Sequence, residues 1–316
     1  MPSVPDLASG VRARQRRAIA RALTVAETGG PRAEALVDAL YPHTGSAWRL
    51  GITGPPGAGK STLTDRLVGA LRARGETVAV VAVDPSSPFT GGALLGDRVR
   101  LADRVEDDGV FVRSLAARGA LGGLADAAEA SCDVLDAAGF DVVLMETVGV
   151  GQGEIDVAEA ADTTLVVLVP ESGDAVQAMK AGLMEVADVF CVNKADKPEA
   201  SALVRALRQT LHLRAPAADP LASGAVPPVV VKASAQTGEG VAKLVDALDA
   251  HRQRLRADWE AAREARLRRR VARIVERRWR EAFWTAERRQ GLAESVAALD
   301  PVERAPHALA ARVLRA

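Results

Sequence analysis

Gly51-Ile52-Thr53-Gly54-Pro55-Pro56-Gly57-Ala58-Gly59-Lys60-Ser61-Thr62 follows an apolar run that begins at Ala47 and leads into Leu63, Leu67, Val68 and Leu71. That order reads as strand, tight glycine loop, helix. Gly54, four residues, then Gly59-Lys60-Ser61 complete a phosphate-binding loop. Side chains in place of the glycines would hold the backbone N–H groups away from the phosphate oxygens. Lys60 brings a point charge to the β- and γ-phosphates and Ser61 offers its hydroxyl to Mg2+. The loop Gly54, Pro55, Pro56, Gly57, Ala58, Gly59, Lys60, Ser61 and Thr62 lines the nucleotide, and the helix N-terminus adds a favourable dipole.

Outward from this loop, short β-branched runs alternate with helical stretches. The strand candidates are 49–53, 77–83, 110–113, 141–145, 164–169, 189–192 and 229–231. Most are apolar without alternation, as strands buried on both faces of a mainly parallel sheet must be. Helices are expected at 62–74, 121–138 and 174–186. The fold class is therefore α/β, a doubly wound, mainly parallel sheet. Residues 47–251 form this nucleotide domain, with a helical arm at 1–46 and a helical region at 252–316. Gly29-Gly30-Pro31 divides the arm into two helices, whose arginines read as a solvated face. In the C-terminal region Leu255, Trp259, Ala262, Leu267, Val271, Ile274 and Phe283 mark one apolar stripe, which packs on its own domain or on a second copy.

A phosphate loop alone does not name the base. Asn193-Lys194-Ala195-Asp196 follows the strand 189–192, where the carboxyl end of a parallel strand presents it to a ligand. The Asp196 carboxylate can accept both the N1–H and the exocyclic amine of guanine, whereas adenine has an acceptor at N1 and no 2-amino group. An unpaired buried donor or acceptor costs about 1–3 kcal/mol, which favours GTP over ATP. Asn193 braces the loop and reaches the base, the stem of Lys194 lies over the ring, and the Ser234-Ala235 turn offers backbone N–H groups to guanine O6.

Between these ends lie the metal and switch segments. The second strand ends at Asp84, in a Pro-, Ser- and Gly-rich stretch to Leu101 that rearranges easily. Asp84 and Asp97 are placed to hold Mg2+ directly or through water. Glu146 ends an apolar strand ahead of Gly149, Gly151 and Gly153, so its carboxylate faces the metal or a water in line with the γ-phosphate. Gly149 can give its N–H to the γ-phosphate, a bond that hydrolysis removes. Lys60, Glu146 and Asp97 are the catalytic candidates, and Ser61, Asp84, Asp97 and Glu146 the metal candidates. Gln152 can orient water or stand as a plain loop amide, and no arginine finger is assigned among Arg98, Arg100 and Arg113.

Composition narrows the partners. Zero net charge and few aromatics speak against a general polyanion partner or a base-stacking surface. Acidic residues such as Glu264 and Glu276 interrupt the basic C-terminal run, so nucleic acid is not expected. Cys132 and Cys191 read as buried core thiols. No signal-peptide core and no bilayer-length apolar run is present, so a cytoplasmic protein with no membrane partner is expected.

The phosphate loop, the stretch Val83-Asp84-Pro85 to Arg100, Glu146-Thr147-Val148-Gly149-Val150-Gly151-Gln152-Gly153-Glu154, Val192-Asn193-Lys194-Ala195-Asp196 and the Ser-Ala turn together resemble the MeaB/ArgK family, the SIMIBI-class GTPases associated with methylmalonyl-CoA mutase. The resemblance spans residue 49 to about 245. Glu146 matches the glutamate that this family has where many GTPases carry a switch II aspartate. The resemblance implies slow hydrolysis of GTP to GDP, homodimerisation through the C-terminal helices, and service to a cobalamin-dependent acyl-CoA mutase as a chaperone that gates cofactor loading and protects or reactivates it. It also implies a further switch loop at 170–180 that contacts the mutase. The alternatives are a metal-delivery GTPase of hydrogenase or urease type, for which the scattered His43, His212, His251 and His307 are poor ligands, and a kinase that passes on the γ-phosphate.

Overall fold

The computed structural model describes residues 2–84, 104, 106–116, 123–147, 153–170, 182–214, 227–299 and 305–315. The chain forms two compact units, residues 1–263 and 264–316. In the first unit three helices, α1 (Val4–Arg12), α2 (Arg16–Thr28) and α3 (Pro31–Leu40), lead into β1 (Trp48–Thr53) and α4 (Lys60–Ala73). There follow β2 (Val78–Asp84), β3 (Val110–Ala116), α5 (Gly123–Ala137), β4 (Val142–Thr147), α6 (Gly153–Ala160) and β5 (Thr163–Leu168). The unit continues with α7 (Leu183–Val186), β6 (Val189–Val192), α8 (Ala200–Arg214), β7 (Val229–Lys232) and α9 (Val241–Ala257).

The seven strands form one sheet in the order β3-β2-β4-β1-β5-β6-β7. Every neighbouring pair is parallel, so the expectation of a mainly parallel sheet is met without an antiparallel edge. β1 is central, flanked by β4 and β5. The strand order reverses about it, and in open α/β sheets the crevice beyond the strand ends at such a point takes the ligand.

Both faces are covered, which is why the strands lack alternation. On one face Leu63, Leu67, Val68 and Leu71 of α4 and Leu244, Val245 and Leu248 of α9 pack with Trp48, Leu50, Ile52, Val78 and Val80. On the other, Cys132 and Leu135 of α5 pack with Ala79, Val81, Val143 and Met145. Leu7, Val11, Ile19, Leu23, Leu36 and Leu40 from the N-terminal helices complete that second cluster. At about 1.5–3 kcal/mol for each large side chain withdrawn from water, this burial is what ties residues 1–46 to the sheet.

The N-terminal arm holds three helices where the sequence reading expects two. The extra break is at Arg14, which adopts a left-handed φ of 55°. The Gln15 N–H donates to Gly10 O at 3.0 Å and closes α1. The expected solvated arginine face is also partly used inside the protein. The Arg14 guanidinium lies 4.4 Å from the centre of the Phe140 ring, and Arg16 donates to Val110 O at 3.1 Å. Of the helix expected at 174–186, only residues 182–186 are described, and Leu183–Val186 are helical behind the left-handed Gly182.

Helix α10 (Trp259–Phe283) begins in the first unit and carries the chain into the second, which adds α11 (Ala286–Ala298) and α12 (Pro306–Arg315). No residue of α10 is buried. Leu267, Val271, Val275 and Trp279 recur every fourth residue, and all four are exposed. Val275 and Trp279 were not part of the expected stripe. Trp279 stacks on Phe283 with ring centres 5.5 Å apart. Among the described residues no helix is long and apolar enough to cross a membrane.

Candidate functional site

The loop 54–59 joins the carboxyl end of central β1 to the start of α4. Gly54, Gly57 and Gly59 all take positive φ, and at two of them a side chain would also meet its neighbours. Gly54 has φ 135°, and a Cβ there would lie 2.1 Å from the carbonyl oxygen of Val167 on β5. Gly59 has φ 81°, and a Cβ there would lie 2.5 Å from Asn193 Nδ2. Both are conformations that L side chains rarely adopt, and neighbours fill the space a side chain would need. No side chain caps the first turn of α4. A helix N-terminus built this way presents donors and its positive dipole end to an anion. Lys60 is buried and donates from Nζ to Gly54 O at 2.7 Å and Pro55 O at 2.9 Å, which keeps its charge against the loop.

Ser61 and Glu146, 85 residues apart, meet here: Ser61 Oγ donates to Glu146 Oε1 at 2.6 Å. Glu146 is the penultimate residue of β4, paired with Ile52 of β1 on one side and Ala82 of β2 on the other. Asp84 ends β2, two strands from β1 in the same sheet. A hydroxyl and a carboxylate in contact form an oxygen-only donor set that fits a hard cation. Among the described residues no group of three or more His, Cys, Asp or Glu could hold a metal ion. Asp97, Arg98, Arg100, Gly149, Gln152 and most of 170–180 lie outside the described residues. Arg113 donates to Thr24 Oγ1 at 3.1 Å and Glu27 Oε2 at 3.2 Å on α2.

At the other end, Asn193 follows β6 and is 2 % exposed. Its Nδ2 donates to Ala58 O at 2.8 Å, and its Oδ1 accepts from the Ala235 N–H at 2.9 Å. One side chain thus braces the phosphate loop against the turn after β7. Lys194 takes a left-handed φ of 55°, the kind of local strain that surrounding structure must hold in place. Asp196 is exposed, with Ser234 Oγ donating to its Oδ1 at 2.8 Å. The Ser234 hydroxyl, then Asp196's own backbone N–H and the charges of Lys197 and Lys194, hold its carboxyl below the usual aspartate range.

Two features differ from the sequence reading. The Ser234 N–H donates to Glu239 O at 2.8 Å, and the Ala235 N–H donates to Asn193. A guanine O6 reaching this turn must therefore share or displace a bond the protein already makes. Ser234 also acts through its hydroxyl on Asp196, a role that a backbone-donor reading misses. Arg66 was not foreseen either: its Nε donates to Ala235 O and its Nη2 to Gln236 O, both at 2.9 Å. No local pattern marks it, because its partners lie 169 and 170 residues away.

A glycine loop between a central parallel strand and a helix, at the switch point of an all-parallel sheet, defines a P-loop nucleotide-binding protein. The relatives are more specific. The chain matches the family model of the methylmalonyl Co-A mutase-associated GTPase MeaB over residues 19–288, and it belongs to that family of GTPases. It is 48 % identical over 250 residues to a protein of Pyrococcus abyssi, covering 79 % of this chain and 76 % of that one. It is 32 % identical over 274 residues to the mitochondrial methylmalonic aciduria type A homolog of Mus musculus, covering 82 % and 65 %. A solved structure described as an LAO/AO transport system kinase superposes with a TM-score of 0.76 at 27 % identity, covering 99 % of this chain and 96 % of the other. The chain is thus a GTPase of the MeaB/ArgK family.

Proposed function

We propose that this GTPase is the chaperone of a cobalamin-dependent acyl-CoA mutase of the methylmalonyl-CoA mutase type, gating cofactor loading and protecting or reactivating the mutase in the cytoplasm as a homodimer. The observation that carries this reading is the family match over residues 19–288, whose description names association with that mutase. The mouse relative's name, which refers to methylmalonic aciduria, supports it.

In this reading Lys60 and the loop N–H groups take the β- and γ-phosphates, while Asp196 accepts from N1–H and the 2-amino group of guanine. Ser61 and Glu146, with Asp84 and Asp97, would hold Mg2+, which when bound supplies charge neutralisation at the phosphates. Glu146 ties that end to the segment beginning at Val148, so loss of the γ-phosphate can alter the switch. The buried Asn193 links Ala58 to Ala235 and keeps the phosphate and base ends in one arrangement.

The test is GTP hydrolysis by the purified chain with and without the acyl-CoA mutase encoded in the same genome. Stimulation by that mutase is expected; none by any such mutase overturns the proposal. The solved relative described as a kinase motivates one further measurement. Label from γ-labelled GTP found on anything other than free phosphate would favour group transfer over hydrolysis.

A further inference from the structure

Helix α4 starts at the phosphate loop, and from its second turn Arg66 reaches the turn that follows β7. A guanidinium is planar and presents donors at fixed spacing, so it can hold two successive carbonyls at once, which a lysine ammonium cannot do in the same geometry. Here the two are Ala235 O and Gln236 O, each at 2.9 Å. In a trans peptide the carbonyl and the following N–H point in opposite directions. Aiming these carbonyls at Arg66 therefore turns the Gln236 and Thr237 N–H groups the other way.

The Thr237 N–H donates to Ser234 Oγ at 3.3 Å, and Ser234 Oγ in turn donates to Asp196 Oδ1 at 2.8 Å. On the other flank, the Ala235 N–H donates to Asn193 Oδ1, and Asn193 Nδ2 donates to Ala58 O in the phosphate loop. The hydrogen bonds thus branch from the turn that Arg66 holds: one arm runs through Ser234 to the Asp196 carboxylate, and the other returns through Asn193 to the loop from which α4 springs. Linked hydrogen bonds of this kind polarise and orient one another.

We infer that Arg66 is a positioning residue for guanine recognition: by holding the 234–237 turn against α4, it keeps Ser234 on Asp196 and fixes the spacing between base clamp and phosphate loop. The inference rests on the reading that Asp196 accepts from guanine N1–H and the 2-amino group. Without Arg66 the turn keeps its bonds to Asn193 and within itself but loses its anchor on α4, so Asp196 is aimed less sharply. The base lacking one of the two donors then loses less than the base with both.

The test is steady-state hydrolysis of GTP and inosine triphosphate, which lacks the 2-amino group, by the full chain carrying Arg66→Ala or Arg66→Lys. For Arg66→Ala the expected result is a rise of about tenfold in KM for GTP, the scale of one lost hydrogen-bonding group. The rise for inosine triphosphate should be smaller, the GTP-to-inosine preference in kcat/KM should fall several-fold, and the loss should lie in KM more than in kcat. Arg66→Lys, which keeps the charge and loses the fork, should show the same direction, and it serves if the alanine variant does not fold. An unchanged preference, or equal losses for both nucleotides, overturns the inference, since a general structural role would weaken both alike. Asp196→Asn is the parallel control. If it leaves the choice between GTP and xanthosine triphosphate unaltered, the reading of Asp196 itself fails; if it shifts that choice while the Arg66 variants keep their GTP-to-inosine preference, only the role of Arg66 fails.

Discussion

In the role proposed for it, Asp196 must be ionised to accept two donors from guanine, and its surroundings favour that state. Because the Ser234 hydroxyl holds its carboxyl below the ordinary value of about 3.9, the binding contribution of the charged form is fully present above that value. It is lost only as pH falls through the lowered folded value. GTP affinity measured by calorimetry should therefore show no transition from this group between about pH 8 and 5; a carboxylate titrating near pH 6 in the nucleotide-free protein would contradict it. Lys60 acts differently, as a buried charge held by Gly54 O and Pro55 O. Lys60→Ala should abolish measurable phosphate release while circular dichroism shows the fold intact, since its apolar neighbours Ala58 and Leu63 keep their own packing in the core. Neither cysteine forms a disulfide; both are buried, and burial pushes the Cys191 thiol up to about 12.

At the scale of elements, the phosphate loop depends on how β1 is anchored at its far end. Asp136 near the end of α5 accepts from the backbone N–H groups of Gly45, Ser46 and Ala47 at 2.7, 3.1 and 3.0 Å. Arg49 on β1 pairs with Asp133 at 2.8 Å and Asp136 at 3.5 Å, all three side chains being almost wholly buried. Burial would pull the Arg49 guanidinium down, but Asp133 and the neighbouring acids outweigh it and raise it above its usual value. Asp136→Ala would strand three N–H groups and part of a buried ion pair. It should destabilise the first unit by about 3–5 kcal/mol, read as a lower urea midpoint at unchanged slope. A loss below about 1 kcal/mol would mean that water or Asp133 takes over those donors.

At the scale of the whole molecule, the outstanding feature is the apolar row on α10. Leu267, Val271, Val275 and Trp279 are 38 % to 64 % exposed. A contiguous apolar face of this kind marks an interaction site more often than open surface. The proposed homodimer would cover it, and spacing of every fourth residue suits a helix partner. Wild-type chain is expected to run as a dimer in light scattering after size exclusion, and Val271→Asp to run as a monomer, because a carboxylate in that face would be buried without a partner. Unchanged mass for Val271→Asp together with Val275→Asp would move the dimer contact elsewhere.

The sequence alone determined whatever is local in the chain. Glycine, lysine and serine at fixed spacing encode the phosphate loop because its geometry closes within one turn. Unbroken apolar runs encode parallel strands because both faces must be covered, and all seven expected strands are present, though β3 runs on to Ala116 and β4 to Thr147. Asn193-Lys194-Ala195-Asp196 was legible for the same reason. Tertiary structure alone decided what depends on distant segments meeting: the Ser61–Glu146 contact, Asn193 spanning Ala58 and Ala235, and Arg66 on the turn after β7. It also decided that the N-terminal helices share the sheet's core and that Arg14 and Arg16 reach Phe140 and Val110. Such contacts leave no periodicity or spacing in the chain, because a hydrogen bond depends on distance in space and is blind to separation in sequence.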